Sequence, residues 1–480
     1  MSNSIKEQTV SGVKWNAIGH FTTQGVQFVL GILIARILAP SDYGVIGMLA
    51  IFLSLSQIFV DSGFSNALIR KKDRTETDCS TAFYFNIVVG VVCYGLLFVT
   101  APFIAKFYEM PILTGVLRVL ALTIVINSLG IVPRALRTIV VDFKTQAYAS
   151  ISAAIASGVL GLYLAYSGYG AWALVWQSLL SAVLSIVLIW VLAKWKPIWA
   201  FSKESFKWMF AYGSKLLAAN LLHKLYTNLS GLLIGKFYTS ADLGFYSRGQ
   251  SIATLPSMNI TSILQRVTYP ILARLQDDDK RLIEVYRKYI KMSSLVIFFL
   301  MMVLMAVAEP LIKILLTEKW LGAVPYLRVF ALALMFDHIC QLNANILMVK
   351  GRSDLFLKLE IIKKLIVFPV LVLAIPYGPM AICWVAFVHM QVDLVCVTYY
   401  TGKLFGLGYV EQLKDIGKYL LVSFLVCIPS YFLTLAGILP WVSLIVGIVV
   451  PTTLYYILLH RDSSMREVMD VVKSQVGLRR

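Results

Sequence analysis

One stretch of this chain is written twice, and that duplication limits what the chain can fold into. Residues 32–44 read ILIARILAPSDYG and residues 232–244 read LLIGKFYTSADLG, at a constant offset of 200. Ile34 falls on Ile234, Arg36 on Lys236, Asp42 on Asp242 and Gly44 on Gly244. Upstream, each copy sets polar residues into an apolar segment. The first has Asn16, His20, Thr23, Gln24 and Gln27; the second has Asn220, His223, Lys224 and Thr227. Steps of three and four residues put each set on one face of a helix. Two long helices, each opening half of the chain and each with one wet face, suggest a pathway between two halves.

The doubling continues. Leu117 to Leu122 is echoed by Leu327 to Leu332, Gly168 to Ala173 by Pro376 to Ala381, and Trp176 by Trp384. The offset drifts to between 208 and 210, as longer loops in the second copy would cause. The order of the matches is kept. Residues 1–205 and 206–405 therefore read as two copies of a six-helix unit, and 406–480 as two appended helices with a tail. Six is even, so both copies enter the membrane the same way round, the parallel-repeat arrangement of many transporters.

A membrane is required by the composition. Hydrophobic residues make up 59% and charged ones 14% of 480 residues, with a mean hydropathy of +0.78. Apolar runs of about 20 residues, long enough to cross a bilayer, recur throughout. Fourteen spans are expected, near 14–37, 43–62, 80–102, 112–133, 147–167, 169–193, 210–235, 249–270, 292–316, 324–348, 359–376, 378–401, 416–436 and 439–459. With a cytoplasmic N-terminus, 31 of the 43 Lys and Arg fall on the cytoplasmic side. That asymmetry places both ends in the cytoplasm. It also accounts for the net charge of +18 as a topology signal with attraction to anionic headgroups, not as a nucleic-acid surface. The N-terminal MSNSIKEQTVSGVKWN has no apolar core followed by a cleavage site, so the first span reads as the targeting signal. The six cysteines show no CxxC pair, and neither a disulfide framework nor a metal site is expected. Between spans eight and nine, Leu282, Val285, Tyr286 and Tyr289 share a helical face opposite Arg281, Glu284, Lys288 and Lys291. This reads as an amphipathic helix in the inner interface.

No Walker A loop, GxSxG elbow, HExxH or GxGxxG is present, and no soluble segment is long enough for an enzymatic domain. The chain reads as neither an enzyme nor a cofactor protein. Polar and ionisable residues inside spans are then the functional candidates. Span one offers His20, Thr23 and Gln27; span seven offers Lys215, Asn220, His223 and Lys224. Span two offers Ser54, Gln57 and Asp61, and its copy offers Thr254, Ser257 and Thr261. These four helices are expected around a V-shaped central cavity between the halves, with cations outnumbering anions. Such a wall attracts anions, and Arg and Lys suit phosphate.

Several candidates have two readings. Arg118 and Arg328, related by the repeat, read equally as cavity lining and as snorkelling to headgroups. Lys215, near the inner end of its helix, reads as an interface anchor. Lys363 and Lys364 diverge by roughly 100° around their helix, so at most one points inward. Asp61 is a coupling residue or a partner of Arg70. Asp337 is a candidate for ion coupling. Asp393, one turn from His389, is an ion-coupling or a structural residue.

The IARILAPSDYGVIGM stretch at 34–48, the segment from Asp61 to Arg70 (DSGFSNALIR) and the two parallel six-helix copies resemble the Wzx-type flippases. These form the polysaccharide-transporter branch of the multidrug/oligosaccharidyl-lipid/polysaccharide superfamily, and the likeness is strongest to colanic-acid-exporter-like members. It runs through about residue 405. It implies a flippase, not an enzyme, that moves an isoprenoid-diphosphate-linked oligosaccharide to the outer leaflet of a bacterial inner membrane for O-antigen, capsule or exopolysaccharide synthesis. A polysaccharide polymerase and chain-length machinery are the implied partners. The family assigns no individual substrate residue here. From the residues themselves, Asn16, His20, Gln27, Arg118, Asn220, His223, Lys224, Thr227, Arg328 and Lys364 are the expected substrate contacts, and Asp61, Asp337 and Asp393 the expected coupling residues. An ion-coupled multidrug exporter on the same scaffold is the alternative, and a membrane glycan polymerase or ligase a second.

Overall fold

The computed structural model describes residues 2–61 and 63–475, and among these no residue is in a β-strand. The chain is an all-α, multi-pass membrane protein that divides into two compact units, Met1–Gly244 and Phe245–Arg480. The first holds α1 (Ser2–Ile37), α2 (Pro40–Asp61), α3 (Phe64–Arg70), α4 (Glu76–Phe107), α5 (Ile112–Leu120), α6 (Leu122–Ser128), α7 (Ile131–Ile139), α8 (Phe143–Tyr166), α9 (Ala171–Ala193) and α10 (Lys203–Phe237). The start of α11 (Ser240–Arg274) also belongs to it. The second holds the rest of α11 with α12 (Asp279–Ala306), α13 (Ala308–Leu316), α14 (Ala323–Leu334), α15 (Asp337–Val349), α16 (Ser353–Ala374), α17 (Pro379–Phe405), α18 (Tyr409–Leu435), α19 (Pro440–Leu459) and α20 (Ser463–Gln475). The sequence repeat starts its second copy at 206, whereas compactness divides the chain at Gly244, so α10 packs with the first unit.

Helix covers each of the fourteen expected spans. Among the described residues, eleven helices are long and apolar enough to cross a membrane. The other three expected spans fall on α10, α11 and α16. Polar residues such as Asn220, His223 and Lys224 dilute α10, and Lys358, Glu360, Lys363 and Lys364 crowd one end of α16. The amphipathic segment 281–291 is corrected: it is not a separate interfacial helix but the continuous start of α12. Leu282 and Tyr286 are fully buried. Its apolar face packs on protein, while Arg287 and Lys291 hold Asp415, at 2.7 and 3.1 Å, and Lys288 holds Glu467 at 2.9 Å.

The duplicated stretch has a physical explanation. A helix leaves its first N–H groups unpaired. Asp42 reaches back to accept from the Ala39 N–H (2.9 Å), and Asp242 accepts from the Thr239 N–H (3.1 Å) and hydroxyl (2.6 Å). Two residues on, the backbones cross. A Cβ on Gly44 would overlap the Ser240 carbonyl, and one on Gly244 would overlap the Pro40 carbonyl. Each glycine thus admits the other copy's helix start. The Asp and the Gly are both needed, one for the cap and one for the approach.

The appended helices are built into the second unit. Gln412 of α18 donates to Asn343 of α15 (2.9 Å), Thr401 of α17 (3.2 Å) and the Leu407 carbonyl (3.0 Å), all buried. Tyr455 of α19 donates to the Leu295 carbonyl of α12 at 2.8 Å and stacks on Phe299. The chain then turns at Asp462, which accepts from Lys418 (2.9 Å), Tyr419 (3.0 Å) and the Ser464 N–H (3.0 Å). Burial works against ionisation of Asp462, but these donors outweigh it and hold the carboxyl below its usual range.

Two outcomes follow for stability. Gly44→Ala and Gly244→Ala should each lower the unfolding free energy in detergent by about 1–3 kcal/mol, as overpacking does, and with it the thermal midpoint. Gly25→Ala, whose Cβ would meet nothing within 4 Å, should be neutral or slightly stabilising. Asp462→Asn should cost about 1–2 kcal/mol at pH 7. Because the folded carboxyl is depressed, its contribution is present above the unfolded value near about pH 4 and lost as pH falls through the folded one. The gap between wild type and variant should therefore close on acidification; a gap constant from pH 7 to pH 3 would contradict this assignment.

Candidate functional site

The polar stripe of α1 faces α8, against which α1 runs closely: a Cβ on Gly19 would come within 2.6 Å of the Ala147 Cβ. Asn16, His20 and Thr23, with Trp15, Gln146 and Ser150, wall a cavity of about 220 Å³. One turn further, Gln27 opens onto a larger cavity of about 640 Å³ among α1, α2 and α5 to α9. Asn127, Arg134, Gln177, Ser181 and Ser185 supply much of its polar wall. The sequence reading put this stripe on a cavity between the two halves; both of these cavities lie inside the first unit.

The second copy's stripe lies on α10, which packs on α2. Asn220, His223, Lys224 and Thr227 are all exposed. Asn228 continues the face of Lys224 one turn on: its amide donates to the Lys224 carbonyl (2.9 Å) and reaches Ser54 of α2 at 3.5 Å. Gln57, one turn along α2, accepts from Asn127 at 3.4 Å. A polar seam thus runs from α10 across α2 to the larger cavity. Lys215 lies outside the residues whose side chains are described. Asp61 ends α2 with one carboxyl oxygen buried and without a hydrogen-bond partner, while Arg70 lies over the Tyr212 ring at 5.1 Å.

Arg118 and Arg328 have a use in the scaffold itself. Pro102 removes the N–H that would have paired with the Phe98 carbonyl four residues back. Arg118 Nε donates to that carbonyl at 3.3 Å, with its guanidinium over the Phe98 ring at 4.2 Å. In the second copy the helix breaks at Val307, ahead of Pro310. Arg328 Nε donates to the Met305 carbonyl, again at 3.3 Å, and the guanidinium covers the Tyr431 ring at 5.0 Å. Both arginines mend a broken helix, a role that neither sequence reading had considered.

In the second unit, α16 and α17 bring charges together. Lys363, nearly buried, pairs with Glu360 on its own helix and with Asp393 on α17 at 2.9 Å; Lys364 lies 3.6 Å from Glu360. His389, one turn before Asp393, feels the same charges. Asp337, at the start of α15, is close enough to Asp393 for their charges to interact and sits beside Gln341, which accepts from Gln265 at 2.6 Å. Among the described residues, no group of His, Cys, Asp and Glu could hold a metal ion.

Three features stand outside the candidates named from the sequence. Glu360 follows from the three- and four-residue spacing to Lys363 and Lys364. Gln177, Ser178, Ser181 and Ser185 repeat at three and four residues along α9, a stripe as regular as that of α1. Arg134 follows the expected end of the span at 112–133 and so falls among the 31 cytoplasmic-side charges by position; its helix carries it back to the cavity wall.

The polysaccharide biosynthesis protein family profile matches residues 33–325. The teichuronic acid biosynthesis protein TuaB of Bacillus subtilis (strain 168) is 31% identical over 363 residues, 73% of each chain. The lipopolysaccharide biosynthesis protein WzxC of Escherichia coli (strain K12) is 25% identical over 376 residues, 77% of this chain and 76% of that one. Among solved structures, the lipid II flippase MurJ in an inward closed conformation superposes with a TM-score of 0.72 at 14% identity, over 93% of this chain and 99% of that one. That likeness establishes the fold.

The Lys363 cluster makes a sharp prediction. Removing one partner of a buried ion pair leaves an uncompensated charge, at about 3–5 kcal/mol. Lys363→Met should lower the unfolding free energy by that order, and adding Asp393→Asn should recover part of the loss. Strictly additive losses would show that the two residues are not coupled.

Proposed function

The chain belongs to the polysaccharide biosynthesis protein family, and from that premise we propose that it is a flippase. It carries an isoprenoid-diphosphate-linked oligosaccharide from the cytoplasmic to the outer leaflet of a bacterial inner membrane, with access alternating between the two sides. It is a transporter, not an enzyme. The observation that supports the reading is the pair of polar faces in the first unit: Asn16, His20 and Gln27 on α1, which wall its two cavities, and Asn220, Lys224 and Thr227 on an exposed face of α10. These are groups that hydrogen-bond sugar and phosphate, set in helices otherwise built for hydrocarbon.

A sugar-diphosphate head cannot cross hydrocarbon unaided, because each buried charge costs several kcal/mol. Lys224 neutralises charge on the diphosphate, His223 donates a hydrogen bond to it, and Asn220 and Thr227 beside them receive sugar hydroxyls. The lipid tail stays in the bilayer. Two negative charges leaving a negative-inside cell gain roughly 2.3 kcal/mol each per 100 mV, which drives export without a nucleotide. Counter-flow of a cation through Asp61, Asp337 or Asp393 adds to that drive. Lys364, beside Glu360, guides the head on its way out. Both termini lie in the cytoplasm, and the cargo passes to a polysaccharide polymerase and its chain-length machinery.

The test is reconstitution in liposomes with a lipid-diphosphate oligosaccharide bearing neutral sugars, its leaflet read by an impermeant sugar-modifying reagent. Flipping should be faster under a potential that favours anion exit, and Lys224→Ala should slow it by about tenfold or more while membrane abundance holds. Export of an organic cation under an ion gradient, with no flipping, would put the protein among drug exporters instead.

A further inference from the structure

We propose that the larger cavity inside the first unit is a binding site for a carboxylated sugar, a uronic acid residue of the glycan head, held through Arg134. The proposal rests on the flippase reading for its biological setting and on the cavity for its chemistry. Arg134 is the one ionisable residue in a wall otherwise made of amides, hydroxyls and aliphatic side chains. Its guanidinium carries five N–H donors, of which Nη2 donates to Ser185 Oγ at 2.8 Å. Among the described residues no carboxylate lies within ion-pairing distance of it. The contrast is on the same helix: Arg137, three residues on, pairs with Asp142 at 3.0 Å and donates to the Leu192 carbonyl at 2.8 Å. A permanent cation held in a membrane bundle without a counter-charge is costly, and an anion from outside the chain relieves that cost.

Charge count and lining identify the anion. One guanidinium balances one monoanionic group, and its planar fork matches a carboxylate with two parallel hydrogen bonds. A diphosphate, with two charges, would call for a second cation that this wall does not hold. Gln27, Asn127 and Gln177 each offer donors and an acceptor, and Ser181 offers both, which suits sugar hydroxyls. Leu30 and Leu53 add an apolar surface for the C–H face of a ring. A volume of about 640 Å³ falls within the usual range for small-molecule pockets.

Calorimetric titration of the purified full-length protein with glucuronate, glucose and chloride tests the site without any transport assay. Glucuronate should bind saturably and about tenfold or more tightly than glucose, the difference one charged hydrogen-bonded pair makes. Arg134→Gln should remove that preference, Arg134→Lys should retain part of it, and Ser181→Ala should weaken binding even if Arg134 variants fail to fold. Equal binding of glucose and glucuronate, no binding of either, or chloride binding that competes fully with glucuronate at equal concentration would each overturn the proposal. In liposomes, a lipid-linked glycan ending in a uronic acid should flip faster than its neutral counterpart. Glucuronate binding without any flipping would defeat the flippase reading and leave the site; flipping of both glycans at one rate without glucuronate binding would do the reverse.

Discussion

Hydrocarbon offers no hydrogen bonds, so each backbone N–H and C=O within a membrane span must be satisfied by the protein. Much of the fixed polar detail in this chain answers that demand. Pro102 opens a gap in α4 and Arg118 fills it with a charged donor; a break before Pro310 is filled by Arg328. Helix starts at Pro40 and Ser240 are capped by Asp42 and Asp242. Gln412 and Asn343 satisfy each other in the second unit while they tie an appended helix to the core. A side chain engaged in this way is already part of the scaffold, and both repeat-related arginines carry such a contact through Nε.

The same constraint sorts the remaining charges. In the second unit Lys363 stands between two carboxylates, and the cluster largely neutralises itself. In the first unit the cations at Arg134 and Lys224 have no paired acid among the described residues and face a cavity wall or an exposed helix face. Neutralised charge can be buried for its own sake; unneutralised charge needs water or a ligand. The asymmetry makes the first unit the side where an anionic head has something to gain.

The helical architecture was legible because hydropathy and the three- and four-residue periods are properties of single segments. The polar stripe of α1 and the doubling of Asp42 and Gly44 could be read in the same way. What depended on the neighbour across a contact could not. Gly44 looks like any helical glycine until Ser240 is seen against it. Arg134 looks like a topology charge until α7 turns it toward α9. The 281–291 face matches a lipid-facing helix as well as a protein-facing one, since periodicity reports that a face is apolar and not what covers it.

The duplication supplies an internal control on these assignments. Positions that do the same job in both copies, Asp42 with Asp242, Gly44 with Gly244 and Arg118 with Arg328, belong to the scaffold. Positions that diverge are free to serve function. At the offset of 208 to 210 that relates the later helices, Lys363 corresponds to one of Ala153, Ala154 and Ile155, and Asp393 to one of Val183, Leu184 and Ser185. Ala154 and Ser185 are among them, and both wall the larger cavity. Where the second copy fills its interior with an ion pair of its own, every candidate counterpart in the first copy is uncharged, and a guanidinium stands at the wall of the space. Positions 342–344, the counterparts of Arg134, are Leu342, Asn343 and Ala344, and Asn343 is spent on the buried network with Gln412 and Thr401. The second copy's interior is thus tied by a lysine between two acids, while the first keeps an arginine on the wall of a cavity.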